Sequence, residues 1–110
     1  MSIKQIGPSE LHSLFERDET IQVIDVRTVE EFEDIRCAYA KNIPLDSFDP
    51  TSVFGNEDID ANKDTYIICR SGKRSQSAAE LCVAAGFTKV INVEGGTLEW
   101  VANGLPTKNG

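Results

Sequence analysis

Residues 65–85 read Thr65-Tyr66-Ile67-Ile68, then Cys69-Arg70-Ser71-Gly72-Lys73-Arg74-Ser75, then Gln76-Ser77-Ala78-Ala79-Glu80-Leu81-Cys82-Val83-Ala84-Ala85. The first four residues are β-branched or large and apolar without a break, the pattern of a strand covered on both faces. The last ten predict a helix over 76–85, with Ala78, Ala79, Leu81, Cys82 and Ala85 as its inner face and Gly86 as its stop. A strand, a tight turn and a helix in this order form the unit of a mostly parallel α/β sheet, whose ligands sit beyond the C-terminal ends of the strands. Cys69 stands at such an end.

The segments on either side repeat the alternation. Residues 3–6 can form a short edge strand, and 8–17 a helix opened by Pro8 with Leu11, Leu14 and Phe15 on one face. Residues 21–26, Ile-Gln-Val-Ile-Asp-Val, read as a buried strand. Thr28 and Glu31 have the spacing of a capping box at the start of a short helix carrying Phe32. Another short strand falls within 37–44. Turn formers dominate 45–64, which is read as irregular. Residues 89–93 predict the last strand, and 97–103 the last helix, with Leu98 and Trp100, ended by Gly104 and Pro106. The whole, 1–110, is expected to be one domain.

The turn carries the chemistry. A cysteine acts as a nucleophile through its thiolate, and cations or a helix N-terminus favour that form. Three of the chain's eleven cations, Arg70, Lys73 and Arg74, follow Cys69 within five residues. Gly72 lets the loop curl, Ser71 can turn it, and Ser75 is read as the N-cap of the helix. A loop curled onto a helix start aims its amides at one point and makes an anion cradle. Such a cradle could hold a persulfide on Cys69, or a phosphate or arsenate. Cysteine phosphatases place an arginine six positions after the nucleophile. Here that position is Ser75, with Arg74 one residue early, so the smaller cradle favours sulfur.

The composition narrows the partners. The formal net charge is -7, which argues against general nucleic-acid binding and makes the cationic turn a local site for a small anion. Forty per cent of residues are hydrophobic, yet no apolar run approaches the roughly 20 that a membrane helix requires. The N-terminal residues lack the apolar stretch of a secretory signal. The odd number of cysteines, Cys37, Cys69 and Cys82, fits a reducing compartment, and a cytoplasmic location is expected. No Cys-x-x-Cys occurs and His12 is the sole histidine, read as solvated on a surface helix, so no metal or other cofactor is expected. Cys82 reads as a small core residue, Trp100 as core or pocket rim, and Asp25 with Arg27 as a structural ion pair or hydrogen-bonded turn, ahead of a contact with substrate. The acidic stretch 57–60 reads as a solvated loop.

The run Cys69 to Ser75 resembles the active-site loop of the rhodanese family of single-domain sulfurtransferases. Ile24-Asp25-Val26-Arg27 with Glu30-Glu31-Phe32 resembles that family's Asp-Val-Arg…Glu-Phe segment, and Ala40-Lys41-Asn42-Ile43-Pro44 its Ala-x-Asn-Ile-Pro. Ala85-Gly86-Phe87, Val93-Glu94-Gly95-Gly96, Trp100 and Gly104-Leu105-Pro106 resemble its C-terminal part. The likeness covers nearly the whole chain in order. It departs at Ile35-Arg36-Cys37-Ala38-Tyr39-Ala40, where the family's Gly-His-Ile-x-Gly-Ala is replaced, and Thr97 thins its tryptophan-rich end.

The resemblance implies a rhodanese-like three-layer α/β fold, a central five-stranded parallel sheet with helices on both faces. It implies transfer of sulfane sulfur from thiosulfate or a persulfide donor to a thiophilic acceptor, cyanide or thiol, through a Cys69 persulfide. Cys69 would be the nucleophile. The amides of residues 70–75 would cradle the persulfide, and Arg70, Lys73 and Arg74 would orient a small anionic sulfur donor. A protein acceptor, and hence a role as persulfide carrier or docking module, is the alternative, ahead of a phosphatase or arsenate-reductase-like enzyme. Cys37 reads as buried, or else as an accessible thiol that resolves the persulfide.

Overall fold

The computed structural model describes residues 3–110. Five parallel strands form one sheet in the order β1-β6-β5-β2-β4: β1 (Lys4–Ile6), β2 (Gln22–Asp25), β4 (Ala40–Asn42), β5 (Thr65–Ile68) and β6 (Val90–Val93). Two further strands, β3 (Arg36–Cys37) and β7 (Thr107–Lys108), pair antiparallel beside it. The helices are α1 (Pro8–Arg17), α2 (Val29–Asp34), α3 (Pro50–Phe54), α4 (Lys73–Ala84) and α5 (Gly96–Ala102), with a single 3-10 turn at Leu45–Ser47. The five-stranded parallel sheet with helices is the architecture the sequence implied.

The strands are buried on both faces, and their period of two divides the core into two layers. Ile24, Val26, Ile67, Cys69 and Val90 point to one side, against Ala78, Ala79 and Cys82 of α4 and Val53 of α3. Val23, Tyr66, Ile68, Ile91 and Val93 point to the other, against Leu11 of α1 and Trp100 of α5. Consecutive strands β2 and β4 step outward, and the chain then returns across β2 to lay down β5 on its other side. This reversal opens a crevice at the C-terminal ends of β2 and β5, where Asp25 and Cys69 lie.

Several local expectations are corrected. The fourth helix starts at Lys73, three residues before the apolar pattern begins, and its N-cap is Gly72 rather than Ser75. Gly72 has φ +102°, so the chain turns there in a conformation that glycine alone tolerates well. Leu81 is exposed because at 100° per residue it lies about a third of a turn from the Ser75, Ala78, Ala79, Cys82 stripe. Ala85, at the helix end, is exposed too. Residues 45–64 are less irregular than their turn formers suggest, because Asp49 caps a short helix begun by Pro50. In the stretch 57–60, Ile59 is buried, Asp58 pairs with Lys41, and the acidic side chains are exposed.

His12 is not simply solvated. Its ring stacks on Tyr39 and meets Trp100 edge-on, and its Nδ1 contacts the Tyr39 hydroxyl. Tyr39 belongs to the segment that departs from the family pattern, and Phe15 stacks on its ring. Aromatic packing therefore covers Trp100, which is fully buried in the core and donates from Nε1 to the Pro106 carbonyl at 2.7 Å.

Candidate active site

Cys69 follows β5 directly, with its side chain on the α4 side of the sheet and the residue only 1% exposed. Two helices shape the loop around it. On one side α5 takes the loop's carbonyls: the Thr97 amide and hydroxyl donate to the Cys69 carbonyl at 2.8 and 3.0 Å, and the Leu98 amide donates to that of Arg70 at 3.1 Å. In a trans peptide the N–H points opposite to the C=O. Anchoring those two carbonyls outward therefore turns the amides of Arg70 and Ser71 inward. On the other side the chain reverses at Gly72, whose amide donates to Cys69 Sγ at 3.1 Å. Ser75, in the first turn of α4, brings its hydroxyl to 3.3 Å from the same sulfur.

These groups decide the state of the sulfur. Burial pushes the Cys69 thiol up, but the hydroxyl of Ser75 and the amides of Ser75, Gly72 and Ser71 pull it down further, and the balance lies below the ordinary cysteine value. Backbone and hydroxyl donors thus do what the sequence assigned to the cations. The other two cysteines behave oppositely: burial pushes Cys37 and Cys82 each up to about 12. Both are fully buried and unbridged. Cys37 packs with Val23 and Trp100 on the far side of the sheet from Cys69, an arrangement that speaks against a resolving role.

The three cations separate. Arg70 and Lys73 are exposed on the rim and, among the described residues, make no side-chain hydrogen bond or ion pair. Arg74 is held by Glu31, with Nη1 and Nη2 donating to the two carboxylate oxygens at 2.7 and 2.9 Å. Glu31 is also the far half of the α2 capping box, in which Thr28 and Glu31 close on each other as their spacing predicts. One carboxylate thus joins the start of α2 to the start of α4. The sequence shows the box but not the bridge, because 43 residues separate the partners.

The Arg74 guanidinium holds the Glu31 carboxyl at about 2, down from 4.5. A carboxyl depressed in the folded state stabilises the protein above its unfolded value and loses that contribution as the pH falls through its folded value. Glu31→Gln is therefore expected to lower stability at pH 7 by on the order of 1 kcal/mol, a modest figure because the pair is about a third exposed and screened by water. The gap between variant and wild type should close between pH 4.5 and about 2, as read by urea denaturation across that range.

Asp25 and Arg27 form the buried structural pair that was expected. Arg27 donates from Nε and Nη2 to the carboxylate, the shortest contact being 2.8 Å, and its Nη2 also reaches the Ile35 carbonyl at 2.7 Å. Asn42 Nδ2 donates to the carbonyls of Asp25 and Arg27, both at 3.0 Å, which explains the Asn in the Asn-Ile-Pro segment: it ties down the exit of β2. A cleft of about 310 Å³ runs beside Arg70 between α2 and α5, with Arg27, Ile35, Leu98 and Val101 in its walls. Among the described residues no cluster of side chains suits a metal ion, and no helix is long and apolar enough to cross a membrane.

Four residues not assigned to the site from the sequence help to shape it: Glu31, Asn92, Gly96 and Thr97. Asn92 carries a signal, a polar residue within the apolar strand Val90-Ile91-Asn92-Val93. Gly96 stands in the Gly-Gly pair of the family-like segment and Thr97 follows it, but their contact with the Cys69 loop shows only once the last helix is docked.

Known proteins resemble this chain in sequence and in fold. The rhodanese-like domain model matches residues 7–103. YtwF of Bacillus subtilis (strain 168), named as a sulfurtransferase, is 35% identical over 106 residues, covering 96% of this chain and 98% of its own. YrkF of the same organism, named as a sulfur carrier protein, is 34% identical over 99 residues, which is 90% of this chain but 51% of its own length. The solution structure of a rhodanese-like domain from Anabaena sp. superposes with a TM-score of 0.83 at 25% identity, over 98% of this chain and 80% of that one. A rhodanese-like domain protein from Staphylococcus aureus superposes with a TM-score of 0.73 at 33% identity, over 89% and 91%. Over residues 7–103 in sequence, and over nearly its whole length in fold, the chain belongs to the rhodanese-like domain family.

Proposed function

We propose that this protein is a sulfurtransferase that carries sulfane sulfur on Cys69, taking it from thiosulfate or a persulfide and passing it to cyanide or a thiol. The observation that carries the reading is the ring of donors on one sulfur: the Gly72 amide at 3.1 Å and the Ser75 hydroxyl at 3.3 Å, at the end of β5. With thiosulfate, the Cys69 thiolate attacks the outer sulfur, the S–S bond of the donor breaks, and sulfite leaves with the electron pair. The product is Cys69-S-S⁻, whose charge sits one atom further out. Attack by cyanide or a thiolate on that terminal sulfur returns the Cys69 thiolate and completes the cycle. The amides of Ser71, Gly72 and Ser75, aimed at the sulfur, suit an anion at both stages.

A thiolate and a dianionic donor repel each other, and the rim cations offset this. Replacing Arg70 or Lys73 by Ala is expected to raise the thiosulfate KM by roughly fivefold each, the worth of one partly solvated charge contact. An unchanged KM in both variants would remove them from donor binding. Arg74 is given no such role, because Glu31 already neutralises it. That pairing also weighs against a phosphate-binding reading, which needs a free guanidinium over the cysteine.

The test is mass spectrometry of the intact protein after incubation with thiosulfate, and separately with a low-molecular-weight persulfide. One added sulfur on the wild type is expected. No adduct with either donor would end the proposal. Discharge by cyanide then divides two roles. Fast turnover marks a free-standing enzyme. Slow discharge marks a carrier for a protein acceptor, a reading favoured by the sulfur-carrier name of one relative and by exposed Leu98 and Val101 beside the loop.

A further inference from the structure

Asn92 is 4% exposed in a strand whose other residues are apolar. The alternation of β6 places it on the face that carries Cys69, paired in register with Ile67 on one side and Gln5 on the other. Its Nδ2 donates to the Gly72 carbonyl at 3.2 Å and to Gln5 Oε1 at 2.7 Å. A backbone carbonyl can only accept, so this contact fixes which end of the amide faces the loop. The other end, Oδ1, lies 2.5 Å from the Ser75 hydroxyl oxygen. An amide oxygen also only accepts, so the hydroxyl hydrogen lies between the two. That same hydroxyl is the one 3.3 Å from Cys69 Sγ, and it has a single hydrogen to give.

We propose that Asn92 competes with Cys69 for the one hydrogen of Ser75, and thereby sets how strongly the sulfur is held as an anion. While Cys69 is protonated, its S–H donates to Ser75, and Ser75 donates to Asn92. When the thiolate forms, the hydroxyl must rotate toward the sulfur and leave Asn92 Oδ1 without its donor. That rotation costs Asn92 its donor, so the Ser75 hydroxyl gives the thiolate less than its 3.3 Å contact alone implies, and Asn92 holds back the difference. Once a sulfane sulfur is loaded, the negative charge moves outward to the terminal sulfur, and the hydroxyl can return to Asn92. Only an O–H rotates, and no proton changes owner in that step. Asn92 is thus a positioning residue, acting on the sulfur through Ser75.

The charged groups around Cys69 lie elsewhere, and none of them bonds to Asn92. They are Arg70, Lys73 and the Glu31-bound Arg74 on the loop and α4, the Asp25–Arg27 pair at the end of β2, and Glu94, whose Cα packs near Gly72. The two buried cysteines, at about 12, titrate clear of Cys69.

The experiment is a pH titration of the Cys69 thiolate, by ultraviolet absorbance and by alkylation rate, in wild type, Asn92→Leu, Ser75→Ala and the double variant. Asn92→Leu should lower the apparent pKa of Cys69 by about one unit, tenfold more thiolate at a fixed pH below it. That gain should vanish when Ser75 is also Ala. Ser75→Ala alone should raise the pKa by less than about half a unit, since the bond the hydroxyl gives the thiolate is offset by the one it gives up at Asn92. An unchanged or raised pKa in Asn92→Leu, or a gain that survives without Ser75, overturns the proposal. If Asn92→Leu does not fold, Ser75→Ala decides alone, and a rise of about half a unit or more overturns it. The inference rests on Cys69 as the sulfur-carrying group only for its place in the cycle. The titration needs no sulfur donor, so its failure is distinct from failure of the transfer reading.

Discussion

Cys69→Ala is expected to abolish sulfur loading and to reduce turnover by on the order of a thousandfold or more, with no loss of fold. The reaction proposed here makes and breaks bonds at Cys69 Sγ, so no partial activity survives its removal, unlike the loss of a group that only assists. The surroundings predict tolerance of the change. Ala at 69 keeps the backbone carbonyl that receives Thr97, and that carbonyl is what docks α5. It loses one buried sulfur, a small cavity near Ala78 and Ala79 worth about 1–2 kcal/mol. Mass spectrometry should show no added sulfur after thiosulfate, while circular dichroism stays near wild type and Tm falls by only about 4–8 °C. Transfer that persists in the alanine variant would move the chemistry away from this loop. The remaining thiols, fully buried and pushed up to about 12, are poorly suited to replace it.

Gly96→Ala is the second large effect, and it strikes stability first. Gly96 has φ +57°, and a Cβ there would lie 2.5 Å from the Cys69 carbonyl oxygen and 2.6 Å from that of Arg70. Both obstacles are backbone atoms, so no side chain can swing aside. Either α5 lifts off the loop or the loop shifts, and each course breaks the bonds from Thr97 and Leu98 to those carbonyls. A cost of about 3 kcal/mol or more follows, or roughly 12 °C in Tm for a domain of this size. Gly104→Ala is the control. Gly104 also has positive φ, +68°, but nothing stands within 4 Å of a Cβ there, so about 1 kcal/mol is expected. Since the same carbonyls turn the loop amides inward, any folded Gly96→Ala protein should also have a less acidic Cys69. Equal melting temperatures for the two variants would show that close approach is not what glycine at 96 serves.

These two residues mark the boundary between what was legible in the chain and what was not. The strand ending at Ile68, the cysteine after it, the turn through Gly72 and the helix beyond are contiguous, so local rules sufficed to read them. The capping box of Thr28 and Glu31 was legible for the same reason. The start of α4 was misplaced because apolar spacing registers where a helix is buried, whereas Gly72 determines where it begins. His12 was misjudged because its partner Tyr39 lies 27 residues away.

By itself, the sequence determined a parallel α/β fold and the position of Cys69 at a strand end, since strand and helix periods and a glycine turn are written in neighbouring residues. Tertiary structure decided which groups govern that sulfur. Arg74, a promising cation in the sequence, is claimed by Glu31. The Ser75 hydroxyl, read as a helix cap, is shared between Cys69 and Asn92. The loop amides face inward because α5, nearly thirty residues on, holds the carbonyls of Cys69 and Arg70. Hydrogen bonds and ion pairs depend on distance in space, and a single chain of letters does not record which remote residues the sheet brings together.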